Sequence, residues 1–184
     1  LDKVLEIYKA RFANPADFTF IFVGNIHPEN NETVALISKW LGGIKAKGKK
    51  EHFQDRGIRA PKGEQKNYFT RDMQIKTATN RIQYTSYDIP YTLANALNME
   101  VIGRVLDMRY LESVREREGG SYGVGTAGFL RRVPVPCAIL LMQFDTDPLK
   151  QERLMQIIHE EVQTIIKDGP REEDLQKAKE SMLK

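Results

Sequence analysis

Arg115 and Tyr122 are the two side chains of this sequence whose types and spacing offer chemistry. They stand seven positions apart, with Gly119 and Gly120 between them. Arg115 lies on the last turns of a long helical pattern and Tyr122 at the start of a strand pattern. A turn of this kind can fold the two side chains toward one opening. A guanidinium and a phenol both donate hydrogen bonds, so together they can hold a substrate carbonyl or stabilise a developing oxyanion. Each residue also has a plainer use. Arg115 can pair with Glu112 or Glu118 on its own helix, and Tyr122 can be a half-buried strand residue. Spacing alone leaves both uses open.

Other chemistries are poorly served. A zinc site needs three converging protein ligands, yet His27, His52 and His159 form no H-x-x-E-H, H-E-x-x-H or H-x-x-H spacing. His159 reads as a helix-surface residue. There is no G-x-S-x-G elbow, and the single cysteine, Cys137, opens an apolar strand, where it reads as a small buried hydrophobe. The glycine-rich run 119–125 follows a helix and enters a strand. A phosphate cradle runs the other way, from strand to helix N-terminus, so these glycines read as a helix stop and a close backbone approach.

Charge narrows the partners. Between Gly42 and Arg71 nine basic residues face three acidic ones, net +6, while nineteen basic and twenty-two acidic residues elsewhere leave −3. The formal +3 is therefore a property of one loop. Its aromatics are sparse and no nucleic-acid motif accompanies it, so a solvated loop is the plainer reading of 45–71, ahead of an anion- or nucleic-acid-binding module. No apolar run approaches the roughly 20 residues of a membrane span. One cysteine excludes an intrachain disulfide and a multi-cysteine metal site; it suits periplasm and cytoplasm alike.

The elements that must position the pair follow from periodicity. Leu1, Val4, Leu5, Tyr8 and Phe12 predict a first helix ended by Asn14-Pro15. Residues 18–26 (FTFIFVGNI) are apolar on both faces and predict a buried strand. Asn31 or Thr33 can cap a second helix carrying Val34, Leu36, Ile37, Trp40 and Leu41. After the basic loop, which contains at most an edge strand near 66–70, alternation predicts a strand over 79–89. Thr92 can cap the longest helix, with Leu93, Leu97, Val101, Val105, Met108, Leu111 and Val114 as its core stripe. Strands over 121–130 and 137–145 form an antiparallel pair, then come a helix over 149–167 and an acidic-first helix from Arg171. The sum is one α+β domain over 1–184: a mixed, mostly antiparallel sheet with helices packed on one face. Both chain ends fall inside helical patterns, the mark of a domain excised from a larger protein.

The segment V-R-E-R-E-G-G-S-Y-G-V (114–124), after the helix N-M-E-V-I-G-R-V-L (98–106), resembles the R-E…Y block of the pitrilysin/insulinase family of zinc metallopeptidases, which includes the mitochondrial processing peptidases. The V-G-N at 23–25 and the D-G-P-R-E-E-D-L-Q-K-A-K at 168–179 resemble two further family segments in the same order. The resemblance implies a LuxS/processing-peptidase-like fold. With no H-x-x-E-H, the chain resembles the family's non-zinc, C-terminal type of domain, inactive alone. By that resemblance Arg115 and Tyr122 contact a bound peptide and support the scissile carbonyl. Zinc is then expected in the zinc-bearing N-terminal half of a larger protease, the partner that completes the cleft. A degenerate family member, acting as a scaffold or assembly subunit, is the alternative.

Overall fold

The computed structural model describes residues 1–46 and 48–183. It divides into two compact units, Leu1–Gly57 and Ile58–Lys184.

The first unit holds two helices, α1 (Asp2–Arg11) and α2 (Asn31–Trp40). The Asn30 side chain accepts from the Glu32 amide at 2.9 Å, so the cap of α2 is Asn30, one residue before the predicted Asn31. Neither helix buries a residue. Tyr8 stacks on Phe12 with ring centroids 4.6 Å apart, and Phe12, Phe18 and Phe20 continue the aromatic row. The predicted strand over 18–26 is absent. Ile21 and Val23 are 82% and 92% exposed, and the described ladder bonds run only among three other strands. An apolar run becomes a strand only where its amides find a ladder partner, and here they find none. The edge strand considered near 66–70 is absent too; that stretch is irregular.

The second unit carries the core. Its strands are β1 (Ala78–Ser86), β2 (Gly125–Arg131) and β3 (Cys137–Thr146), in the order β1-β3-β2. Both pairings are antiparallel, in keeping with the predicted mostly antiparallel sheet. Ile82 and Thr126 both stand opposite Met142, so all three strands share one register of faces. One face meets α3 (Leu93–Tyr110) and α4 (Gln151–Asp168). Met142 and Phe144 interlock there with Leu106, Tyr110, Val114, Leu154 and Ile158. By strand alternation the opposite face presents Arg81, Gln83, Gln143 and Asp145, all exposed. This is an α+β fold with helices on one side of an antiparallel sheet.

Helix α3 starts as its sequence predicts: the Thr92 hydroxyl accepts from the Asn95 amide at 3.1 Å. Its buried face follows the predicted stripe only in part: Val105 and Val114 are buried as predicted. Gly103, Val105, Leu106 and Tyr110 are buried, whereas Leu93, Leu97 and Leu111 are 77%, 43% and 42% exposed. The reason is steric. The helix crosses β2 where Gly103 meets Gly128, and this contact turns the Gly103–Leu106–Tyr110 line onto the sheet. Arg109 on α3 and Glu161 on α4 form a mostly buried ion pair at 2.7 Å. Helix α5 (Glu172–Met182) follows Gly169, whose φ of 78° ends α4.

Candidate functional site

Beyond Tyr110 the long helix does not simply stop. Residues Leu111–Arg117 wind as a π-helix, with i→i+5 hydrogen bonding. Ser113 and Val114 are its buried residues, and the Ser113 hydroxyl donates to the Arg109 carbonyl at 2.9 Å. Arg115 comes next and is exposed.

The glycine turn that follows is held at successive residues. Gly119 takes a left-handed φ of 53°, which a residue without a Cβ adopts freely. Gly120 donates its amide to the Val114 carbonyl at 3.3 Å, and its own carbonyl accepts from the Thr146 hydroxyl at 2.5 Å. A Cβ on Gly120 would stand 2.8 Å from both methyl groups of Leu154. Lys150 donates to the Gly119 carbonyl at 3.4 Å. The Ser121 hydroxyl donates to the Asp145 carbonyl at 2.7 Å, tying the turn to the end of β3. Val124 then enters the core at 4% exposure. Between these anchors Tyr122 is 98% exposed. The predicted strand over 121–130 thus begins only at Gly125, because Ser121 and Gly123 serve the turn rather than the ladder.

Arg115 and Tyr122 therefore lie on one anchored stretch between buried Val114 and buried Val124. Among the described residues neither side chain makes a hydrogen bond or ion pair. Both plainer uses fail. Tyr122 is fully exposed rather than half-buried, and the acids near Arg115 are taken by other arginines. Glu112 accepts from Arg171 at 3.0 Å and from Arg117. Glu118 accepts from Arg153 at 3.1 Å. Hydrogen bonds from Arg171 and then Arg117 hold the Glu112 carboxyl below its usual range. Arg171 is itself fixed by Asp174 at 2.7 Å, which pushes its guanidinium pKa further up, and Asp174 is only 2% exposed. The sequence reading missed this network. Its only signal was the acid–base spacing of Glu112 and Arg117, five apart, which α-helical rules ignore.

Next to the turn, Gly123, Val124, Leu111, Met108 and Asp107 line a hollow of about 140 Å³. A larger groove of about 410 Å³, bordered by Arg104, Asp107, Thr126 and Lys177, lies along α3, β2 and α5 and includes neither Arg115 nor Tyr122.

The residues present do not fit a zinc ion. Among the described residues no group of three His, Cys, Asp or Glu side chains gathers to hold a metal. His159 receives or gives a 2.8 Å hydrogen bond at Tyr84 Oη, and His27 sits beside Glu29. Cys137 is buried, as its strand position predicted. No described helix is long and apolar enough to cross a membrane. The residues described in 45–71 form irregular, mostly exposed chain.

The sequence profile of the family described as "Peptidase M16 inactive domain" matches residues 1–182. A "Probable zinc protease PqqL" of Haemophilus influenzae is 24% identical over 170 residues, covering 92% of this chain and 18% of that protein. A "Zinc protease PQQL-like" protein of Arabidopsis thaliana is 24% identical over 187 residues, covering 94% of this chain and 19% of that protein. The crystal structure of the periplasmic protease PqqL from Escherichia coli superposes with a TM-score of 0.66 at 20% identity, over 88% of this chain and 17% of that one. The chain thus spans about a fifth of the length of these relatives.

Proposed function

Since the chain belongs to the M16 peptidase family as its inactive domain, we propose that it is the substrate-binding, non-zinc domain of a zinc-dependent endopeptidase acting on peptides or unfolded polypeptide. Its partner is a zinc-bearing N-terminal half of the same protein. Zinc belongs to that half, where it supplies the activated water of peptide hydrolysis. The match of the family profile to both compact units supports treating 1–184 as one functional domain.

The observation that carries this reading is the pair of exposed, unpartnered donors on a held turn. A donor that is already bonded to its own protein must break that bond to serve a substrate. Arg115 and Tyr122 have no such bond to break. Holding Gly119, Gly120 and Ser121 in place fixes the backbone from which Tyr122 projects, so presenting its phenol to a substrate costs little further backbone entropy. In this reading Arg115 orients a peptide carbonyl and Tyr122 donates to the oxygen that gains charge as the carbonyl carbon is attacked.

The test is kinetic and uses the full-length protein. Tyr122→Phe removes one donor and keeps the ring. Loss of one oxyanion donor costs on the order of 10²–10³ in rate, and a fall of that order in kcat/KM on a peptide substrate is expected. An unchanged kcat/KM for both Tyr122→Phe and Arg115→Gln overturns the catalytic role. A full-length protein that cleaves no peptide favours the scaffold alternative.

A further inference from the structure

Arg115 has no hydrogen-bond or ion-pair partner among the described residues, and the winding of its own turn bears on why. In an α-helix, residues three and four apart share a face. Glu112 would then meet Arg115, and Arg115 would meet Glu118. The chain instead winds as a π-helix over Leu111–Arg117, and its i→i+5 register brings Glu112 to Arg117. The second oxygen of Glu112 is taken by Arg171, reaching across from the start of α5, where buried Asp174 fixes it. Glu118 is taken by Arg153 of α4. Three arginines from three elements therefore occupy the two acids that stand three positions to either side of Arg115.

We propose that Arg117, Arg153 and Arg171 are positioning residues that keep the Arg115 guanidinium open for a peptide carbonyl by sequestering Glu112 and Glu118. This rests on the reading that Arg115 contacts the peptide. None of the three needs to touch substrate. Their effect is to remove two competing carboxylates from the neighbourhood of Arg115. The arrangement would fail if Glu112 or Glu118 were released, because each stands three positions from Arg115 in the chain and would again compete for its guanidinium.

The experiment compares variants of the full-length protein on one peptide substrate, with thermal melting alongside. Arg117 and Arg153 have 65% and 54% of their side-chain surface exposed, so Arg117→Gln/Arg153→Gln retains the fold. It releases one oxygen of Glu112 and the carboxylate of Glu118. A fall in kcat/KM of about three- to fivefold is expected, the size that competition from a surface ion pair carries. Adding Glu112→Gln and Glu118→Gln removes the released acids and should return kcat/KM to within about twofold of the parent. In an Arg115→Gln background the double variant should change nothing further. A double variant with parental kcat/KM overturns the proposal, and so does a loss that the two glutamines fail to restore, since that loss is structural. If Arg115→Gln itself has no effect, the reading of Arg115 as a peptide contact falls, and this inference falls with it.

Discussion

Gly103 of α3 and Gly128 of β2 touch backbone to backbone: a Cβ on Gly128 would lie 1.9 Å from the Met99 carbonyl oxygen, and one on Gly103 2.5 Å from the Gly128 nitrogen. No rotamer change relieves either clash, because the obstructing atoms are main chain. The contact sets how closely the long helix lies on the edge strand and hence which of its faces is buried.

Gly128→Ala should therefore destabilise the protein by about 3 kcal/mol, at the severe end of overpacking effects. Gly43→Ala serves as the control, since its added methyl meets its nearest heavy atom at 3.4 Å, an ordinary contact. Chemical denaturation midpoints read the difference, and equal midpoints would contradict the close crossing.

Tyr110 is fully buried and donates to the Ile158 carbonyl at 3.1 Å. Burial pushes its phenol well above the ordinary tyrosine range. The folded protein thus keeps the phenol neutral, while the unfolded chain ionises it near pH ~10. Stability from this site is complete below that pH and is lost progressively as pH rises from it toward the higher folded value. Tyr110→Phe should cost about 1 kcal/mol at neutral pH through the lost hydrogen bond. The gap between wild type and variant should narrow above pH ~10. Melting temperatures across pH 7 to 11 check this; a constant gap would refute the burial effect.

Glu112 shifts the other way. Its folded carboxyl pKa lies below the unfolded value of about 4.3, chiefly through Arg171. The stability it contributes is present above that unfolded value and is lost as pH falls through the lower folded value. Glu112→Gln should lower the melting temperature modestly at pH 7, and the two curves should converge in acid. The side chain keeps 36% of its exposure, so added salt should shrink the difference.

Cys137 is buried at 8% exposure at the start of the central strand. A thiol reagent should label it slowly in the native protein and completely after denaturation, read by mass spectrometry. Rapid native labelling would show that the end of β3 frays.

The second unit was largely legible in the sequence because its signals are local. Thr92 followed by apolar steps predicts a helix and its cap, alternation around Ile82 predicts a strand, and the short apolar run ending at Met142 predicts another. Three features were not legible. The run 18–26 has the composition of a strand, but whether it pairs depends on a partner that composition does not name. The buried face of α3 is set by Gly103 meeting Gly128, a contact between residues 25 positions apart. The π-helical winding at Leu111–Arg117 leaves no periodic trace in seven residues. At the site, Arg115 and Tyr122 were found by residue type, but the acids around Arg115 pair through Arg153 and Arg171, which are distant in sequence.

The register of the sheet also bears on how the chain folds as it is synthesised. β2 and β3 are near neighbours and can close as a hairpin, but β1 pairs with β3 across 52 (Ser86↔Ala138) to 68 (Ala78↔Thr146) positions. Such pairing must await loop closure and is slow. On the ribosome β1 emerges well before β3, its partner among the described strands, with both edges open to wrong pairings. The hairpin's arrival, rather than β1's own sequence, commits this unit to its native sheet, and the interval before it is when the chain is most prone to aggregate.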